Sequence, residues 1–141
     1  MRRALNPGLG LAILRVVVGV TFMTHGVPKL TGAVGETAGF FATLGIPAPT
    51  LAAWGITLLE TFGGLLLVVG FLVTPVAVLF CIHMLMGIIL VHSANGWYVI
   101  GFGQGGAELN VLLIAACLAL IFAGPGSAAI DARKTHEVVA A

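Results

Sequence analysis

Four long apolar runs, separated by short polar or glycine-rich stretches, dominate the chain. They extend from about Gly8 to Leu30, Pro49 to Leu72, Pro75 to Asn95 and Glu108 to Gly124. Each comes close to the roughly 20 apolar residues a helix needs to cross the hydrocarbon core of a bilayer. The punctuation agrees with this division. Pro49 and Pro75 fall at helix starts, where a missing N–H costs nothing. Thr74 is placed to cap the third helix, and Gly124-Pro125-Gly126 stop the fourth. The expected architecture is therefore all-α: a four-helix transmembrane bundle in a single domain, 1–141, with a tail from 125 to 141. The loop 31–48 is expected to hold a short interfacial helix around Gly39-Phe40-Phe41, ending in a turn at Gly45-Ile46-Pro47. The first run is longer than a signal-peptide core and contains Arg15, so it is expected to remain uncleaved.

Composition strengthens the membrane reading. Hydrophobic residues make up 60% of the 141 and charged residues 8%, against about 25% charged in soluble domains. So few charges cannot cover a soluble surface; lipid must cover it instead. A net charge of +1 gives no electrostatic case for nucleic acid. Cys81 and Cys117 lie inside apolar runs with no CxxC spacing, which points to inert buried thiols rather than a zinc knuckle or redox dithiol. Arg2 and Arg3 precede the first span, and Arg133 and Lys134 follow the fourth. Basic residues collect on the cytoplasmic side, so both termini are expected to be cytoplasmic in a multi-pass protein of the inner (plasma) membrane. Trp97 and Tyr98 then suit an outer interfacial belt. The glycine run Gly101 to Gly106 contains no lysine and faces outward, so it is not a phosphate loop.

Ionisable residues inside spans are costly and usually face the bundle interior. At about 100° per residue, Arg15, Phe22, Gly26 and Lys29 share one stripe of the first helix, with His25 about 80° away. Glu60 lies near the middle of the second span and His83 near the middle of the third. At ~1.5 Å per residue, Glu60 falls roughly 18 Å from the cytoplasmic boundary, His83 roughly 13 Å and Arg15 roughly 10 Å. Arg15, Glu60 and His83 are therefore expected to form an intramembrane polar cluster. A mid-membrane carboxylate must be paired, protonated or hydrated.

A second group collects toward the outer side: His25 and Lys29 on the first helix, His92 on the third and Glu108 on the fourth. Lys29 is expected near the outer surface. This is the expected ligand site, between the first, third and fourth helices. Imidazoles offer both a donor and an acceptor to a carbonyl or hydroxyl, and a helix start favours the Glu108 carboxylate. His83 and His92 are nine residues apart, on opposite faces of a regular helix, which argues against a two-histidine metal site. Haem between His25 and His92, or a metal on His25, His92 and Glu108, are the lesser alternatives; no metal is assigned.

The order of these features resembles the DoxX family of small four-helix membrane proteins. The matching elements are Leu14-Arg15 with Gly19, Phe22, His25-Gly26 and Lys29; Leu59-Glu60 with Gly63-Gly64 and Gly70; Val91-His92 with Asn95-Gly96; Gly105-Gly106 with Glu108; and Gly124-Pro125-Gly126 with Asp131. Some members look like the small subunit of thiosulfate:quinone oxidoreductase, and others are associated with membrane oxidoreductase complexes and thiol stress. The resemblance thus implies a quinone-associated subunit or redox accessory. A non-covalent menaquinone or ubiquinone would be its cofactor, and lipid and other membrane redox proteins its partners. The chain itself offers no electron carrier, so electrons would come from a partner. Two other classes stay open: a non-enzymatic scaffold or assembly factor, and a small proton or solute pathway, for which four helices would need a homo-oligomer.

Overall fold

The computed structural model describes residues 6–98 and 105–132. Among them, all regular structure is helical. Helix α1 spans Pro7–Pro28; the Asn6 side chain caps it by accepting from the Leu9 N–H at 3.0 Å. It continues through a π-helical turn, Lys29–Ala33, kinked at Gly32, into α2, Val34–Thr43. After a turn, α3 (Pro49–Leu58) is joined to α4 (Gly64–Val69) by a second π-helical turn, Leu59–Gly63. Then come α5 (Val73–Leu90), a 3₁₀ turn at His92–Asn95, and α6 (Glu108–Ala123).

Three stretches are long and apolar enough to cross a membrane: Pro7–Thr43, Pro49–Val69 and Val73–Leu90. The fourth, α6, has 16 residues, about 24 Å of helix against a hydrocarbon core of about 30 Å. It is the short member of an antiparallel pair with α5, registered by Cys81 Sγ donating to Ile114 O (3.9 Å) and Asn110 Nδ2 to Met84 O (3.2 Å).

Close packing of α1 on α4 depends on glycine. A Cβ on Gly19 would sit 2.6 Å from the Gly64 carbonyl oxygen, and one on Gly64 would sit 2.6 Å from the Gly19 carbonyl oxygen. At Gly26, a Cβ would meet the Thr61 backbone nitrogen at 2.5 Å. Small residues are how membrane helices approach this closely. The core between them is Val18, Phe22, Leu67, Val76, Phe80 and Cys117 with their neighbours. Phe22 and Phe80 stack with ring centroids 3.5 Å apart, joining α1 to α5. Large apolar side chains such as Ile13, Leu51, Ile82 and Phe122 face outward; in a bilayer that surface meets lipid rather than water.

Three local expectations change. The region 31–48 is not chiefly a loop: α2 packs along α3 instead of lying alone at the interface. Helix α5 begins at Val73, two residues before Pro75. Its cap is not Thr74 but Asp131, whose carboxylate accepts from the N–H groups of Leu72 (3.2 Å) and Val73 (2.9 Å).

The segment that supplies Asp131 closes one end of the bundle, called the terminal end below. Ser127 N–H donates to Gly8 O at 2.8 Å and Asp131 N–H to Gly70 O at 2.9 Å. The opposite end, holding Gly45 and His92, is the loop end. There the N–H groups of Gly106, Ala107 and Glu108 donate to the carbonyls of Tyr98, Gly96 and Trp97, which seats the start of α6.

Candidate functional site

Glu60 is the centre of the polar interior. It lies in the π-helical turn between α3 and α4, near the middle of the Pro49–Val69 rod, and is 4% exposed. Its Oε2 accepts from Lys29 Nζ at 2.6 Å, and its Oε1 lies 3.0 Å from His83 Nε2. The Phe22 ring lies 6.3 Å from the His83 ring, tilted by 49°. Lys29 opens the other π-helical turn, so both members of the ion pair sit where the chain departs from α geometry. A π turn inserts one extra residue and re-aims side chains, and such turns recur at functional sites.

Arg15 is elsewhere. Its guanidinium donates through Nη1 to the carbonyls of Leu67 (2.8 Å) and Val68 (3.0 Å), and through Nη2 to Ser127 O (3.4 Å). It bonds carbonyls in the last turn of α4, not Glu60. The expected Arg15–Glu60–His83 cluster therefore divides: Glu60 and His83 stay together, Lys29 takes the third place, and Arg15 closes the terminal end. Lys29 lies level with Glu60 because the first rod does not end at residue 30 but runs on into α2.

Above the ion pair, toward the loop end, lies a cavity of about 920 Å³. Lys29, Glu60 and His83 line it, together with His25 and His92. The two groups separated by sequence thus meet in one space. Its walls are largely apolar, with Phe40 and Phe41 from α2, Ile56 from α3, Leu90 from α5, and Leu109 and Leu113 from α6. His25 is exposed, with Nδ1 on Thr21 O at 2.9 Å. His92 Nδ1 contacts Gly105 O. Glu108, expected at this site, begins α6 outside the cavity lining, where Leu109 and Asn110 take its place. Glu36 and Thr37 from α2 also line the cavity, although sequence reading left them out. Their signal would have been the helical spacing of Glu36, Thr37, Phe40, Phe41 and Leu44, which puts all five on one face of α2. Among the described residues, no group of three or more His, Cys, Asp or Glu side chains is arranged to hold a metal.

The DoxX family profile matches residues 10–93, which contain Lys29, Glu60, His83 and His92. The inner membrane protein YphA of Escherichia coli K12 is 35% identical over 127 residues, 87% of this chain and 89% of that protein. A Bacillus subtilis 168 protein named "Putative oxidoreductase CatD" is 32% identical over 123 residues, 87% of this chain and 85% of that protein. The inner membrane protein YqjF of Escherichia coli K12 is 30% identical over 127 residues, 87% of this chain and 90% of that protein. No solved structure matches the chain significantly. Helices suited to a bilayer, a profile match over more than half the length, and near full-length relatives named for the inner membrane agree: the chain is a multi-pass inner-membrane protein and belongs to the DoxX family.

Proposed function

We propose that this protein binds a quinone in the loop-end cavity and serves as an accessory subunit of a membrane oxidoreductase. The observation that carries the reading is a largely apolar cavity of about 920 Å³ with an ion-paired carboxylate and an imidazole at its inner end. Small-molecule sites are typically apolar clefts of about 300–1,000 Å³ with a few placed polar groups. The polar set suits the head of a quinone or its quinol: Lys29, His83, His25 and His92 reach the cavity from α1, α5 and the turns that follow them. The name of the Bacillus subtilis relative points to redox chemistry as well.

When bound, a quinone supplies the two-electron, two-proton carrier that the chain's own residues lack. Lys29 neutralises Glu60, and Glu60 in turn orients the His83 ring, as a carboxylate orients an imidazole in other sites. His83 holds or releases a proton beside the ligand's oxygen. Phe40, Phe41 and Leu90 keep bulk water from the ring. Below Glu60, Phe22, Phe80, Leu67 and Val18 are buried and apolar, so among the described residues an apolar core separates Glu60 from Arg15. That packing disfavours the proton or solute pathway.

The test is saturable binding of a short-tailed quinone to the full-length protein in nanodiscs, followed by quenching of intrinsic tryptophan fluorescence. One site per chain is expected, with affinity lowered at least tenfold in His83→Ala. Absence of saturable binding would leave the assembly-factor role as the better reading.

A further inference from the structure

The histidines of the cavity share a feature that decides what kind of ligand suits them. Each has one ring nitrogen on an oxygen acceptor: His25 Nδ1 on Thr21 O, His83 Nε2 on Glu60 Oε1, and His92 Nδ1 on Gly105 O. A carbonyl or carboxylate oxygen accepts and cannot donate, so in the neutral ring the bonded nitrogen carries the hydrogen. The other nitrogen is then a bare lone pair: Nε2 on His25 and His92, Nδ1 on His83. Among the described residues, none of these three atoms makes a hydrogen bond. The hydroxyls lining the cavity are spent in the same way, Thr21 donating to Val17 O and Thr37 to Ala33 O. Glu36 and Glu60 add carboxylates. Against these stand two donors, Lys29 and Asn110, each already bonded once, to Glu60 and to Met84 O. The cavity is richer in acceptors than in donors.

We infer that the site is built for the reduced, hydroxyl-bearing form of its ligand, a quinol, rather than for the quinone. This deepens the quinone-binding reading and rests on it. A quinone offers two carbonyl acceptors, which leave the imidazole lone pairs unmatched and can draw only on Lys29 and Asn110. A quinol offers two O–H donors, each matched by an imidazole nitrogen. A site that hydrogen-bonds a ligand hydroxyl rejects the analogue lacking it, because its own polar groups are left unpaired. Glu60 is a positioning residue in this scheme: by accepting from Nε2 it fixes which nitrogen of His83 faces the ligand.

The experiment compares decylubiquinol with decylubiquinone on the full-length protein in nanodiscs under anaerobic conditions. The quinol is expected to bind at least tenfold tighter, which raises the midpoint potential of the bound two-electron couple by about 30 mV per tenfold. Equal or tighter binding of the quinone overturns this inference and leaves the proposed function standing. If neither form binds, both are overturned. A second measurement needs no variant: ¹⁵N-histidine NMR is expected to show the proton on Nε2 of His83 and on Nδ1 of His25 and His92. The opposite tautomer at His83 overturns the inference. In His83→Phe the quinol preference is expected to fall at least fivefold, and an unchanged preference in that folded variant would also overturn it.

Discussion

The two oxygens of Glu60 are divided between two partners, an ammonium at 2.6 Å and an imidazole at 3.0 Å. Removing the carboxylate strands both partners in a nearly buried setting, whereas an amide fills the same space and keeps one of the two acceptor oxygens. Glu60→Ala is therefore expected to cost roughly 3 kcal/mol, the lower end for breaking a buried pair because Lys29 is partly exposed. Glu60→Gln is expected to cost clearly less. Denaturation of both variants in mixed micelles checks this; equal losses would show that charge, not polarity, holds the site. At this scale the sequence was partly legible. The stripe Arg15, Phe22, Gly26, Lys29 does mark the inward face of α1, since Arg15, Phe22 and Gly26 are buried. Which carboxylate partner each cation takes was not legible. That depends on how far the first rod extends past residue 30, and a continuous apolar pattern does not say where a bilayer ends.

At the scale of elements, the glycines sort by what surrounds them. Gly19 and Gly64 meet backbone to backbone at the crossing of α1 and α4. Gly64→Val must push the two helices apart or strain its rotamer, at a cost of about 1–3 kcal/mol. Gly39 on α2 has open space where a Cβ would go, so Gly39→Ala is expected to be neutral or to stabilise by up to about 1 kcal/mol. Thermal stability of the two variants, measured side by side, tests the contrast; a Gly64→Val protein as stable as the parent would contradict the crossing. The abundance of glycine in the spans announced close packing, and the proline and glycine punctuation placed most helix ends to within a few residues. The π-helical turns left no trace in sequence, because in a span that is apolar nearly all round the phase shift made by an extra residue has no polar face to reveal it. Those turns carry Lys29 and Glu60, so the least legible elements are the ones that build the site.

For the whole molecule, the spans place both ends of the described chain together, Gly8 against Ser127. Four basic residues, Arg2, Arg3, Arg133 and Lys134, flank that end in the sequence, so it is expected to face the cytoplasm. The cavity would then face outward. A cysteine appended to the C-terminus, in a background with Cys81 and Cys117 replaced, should resist a membrane-impermeant maleimide in intact spheroplasts and react after lysis. Labelling before lysis would invert the molecule and place the cavity on the cytoplasmic side.

The bonding around Ser127 and Asp131 also bears on how the protein is made. Arg15 leaves the ribosome early and Ser127, one of its three acceptors, more than a hundred residues later. Leu72 and Val73 likewise wait for Asp131 before the start of α5 is capped. Membrane insertion can therefore run nearly to completion while the cytoplasm-facing rim, as oriented above, is still open. The segment 127–131 works as a clasp that closes only after α6 has been made. A nascent protein released short of it would carry α1 to α6 and still display unsatisfied backbone groups, a mark by which quality-control proteases could tell open copies from closed ones.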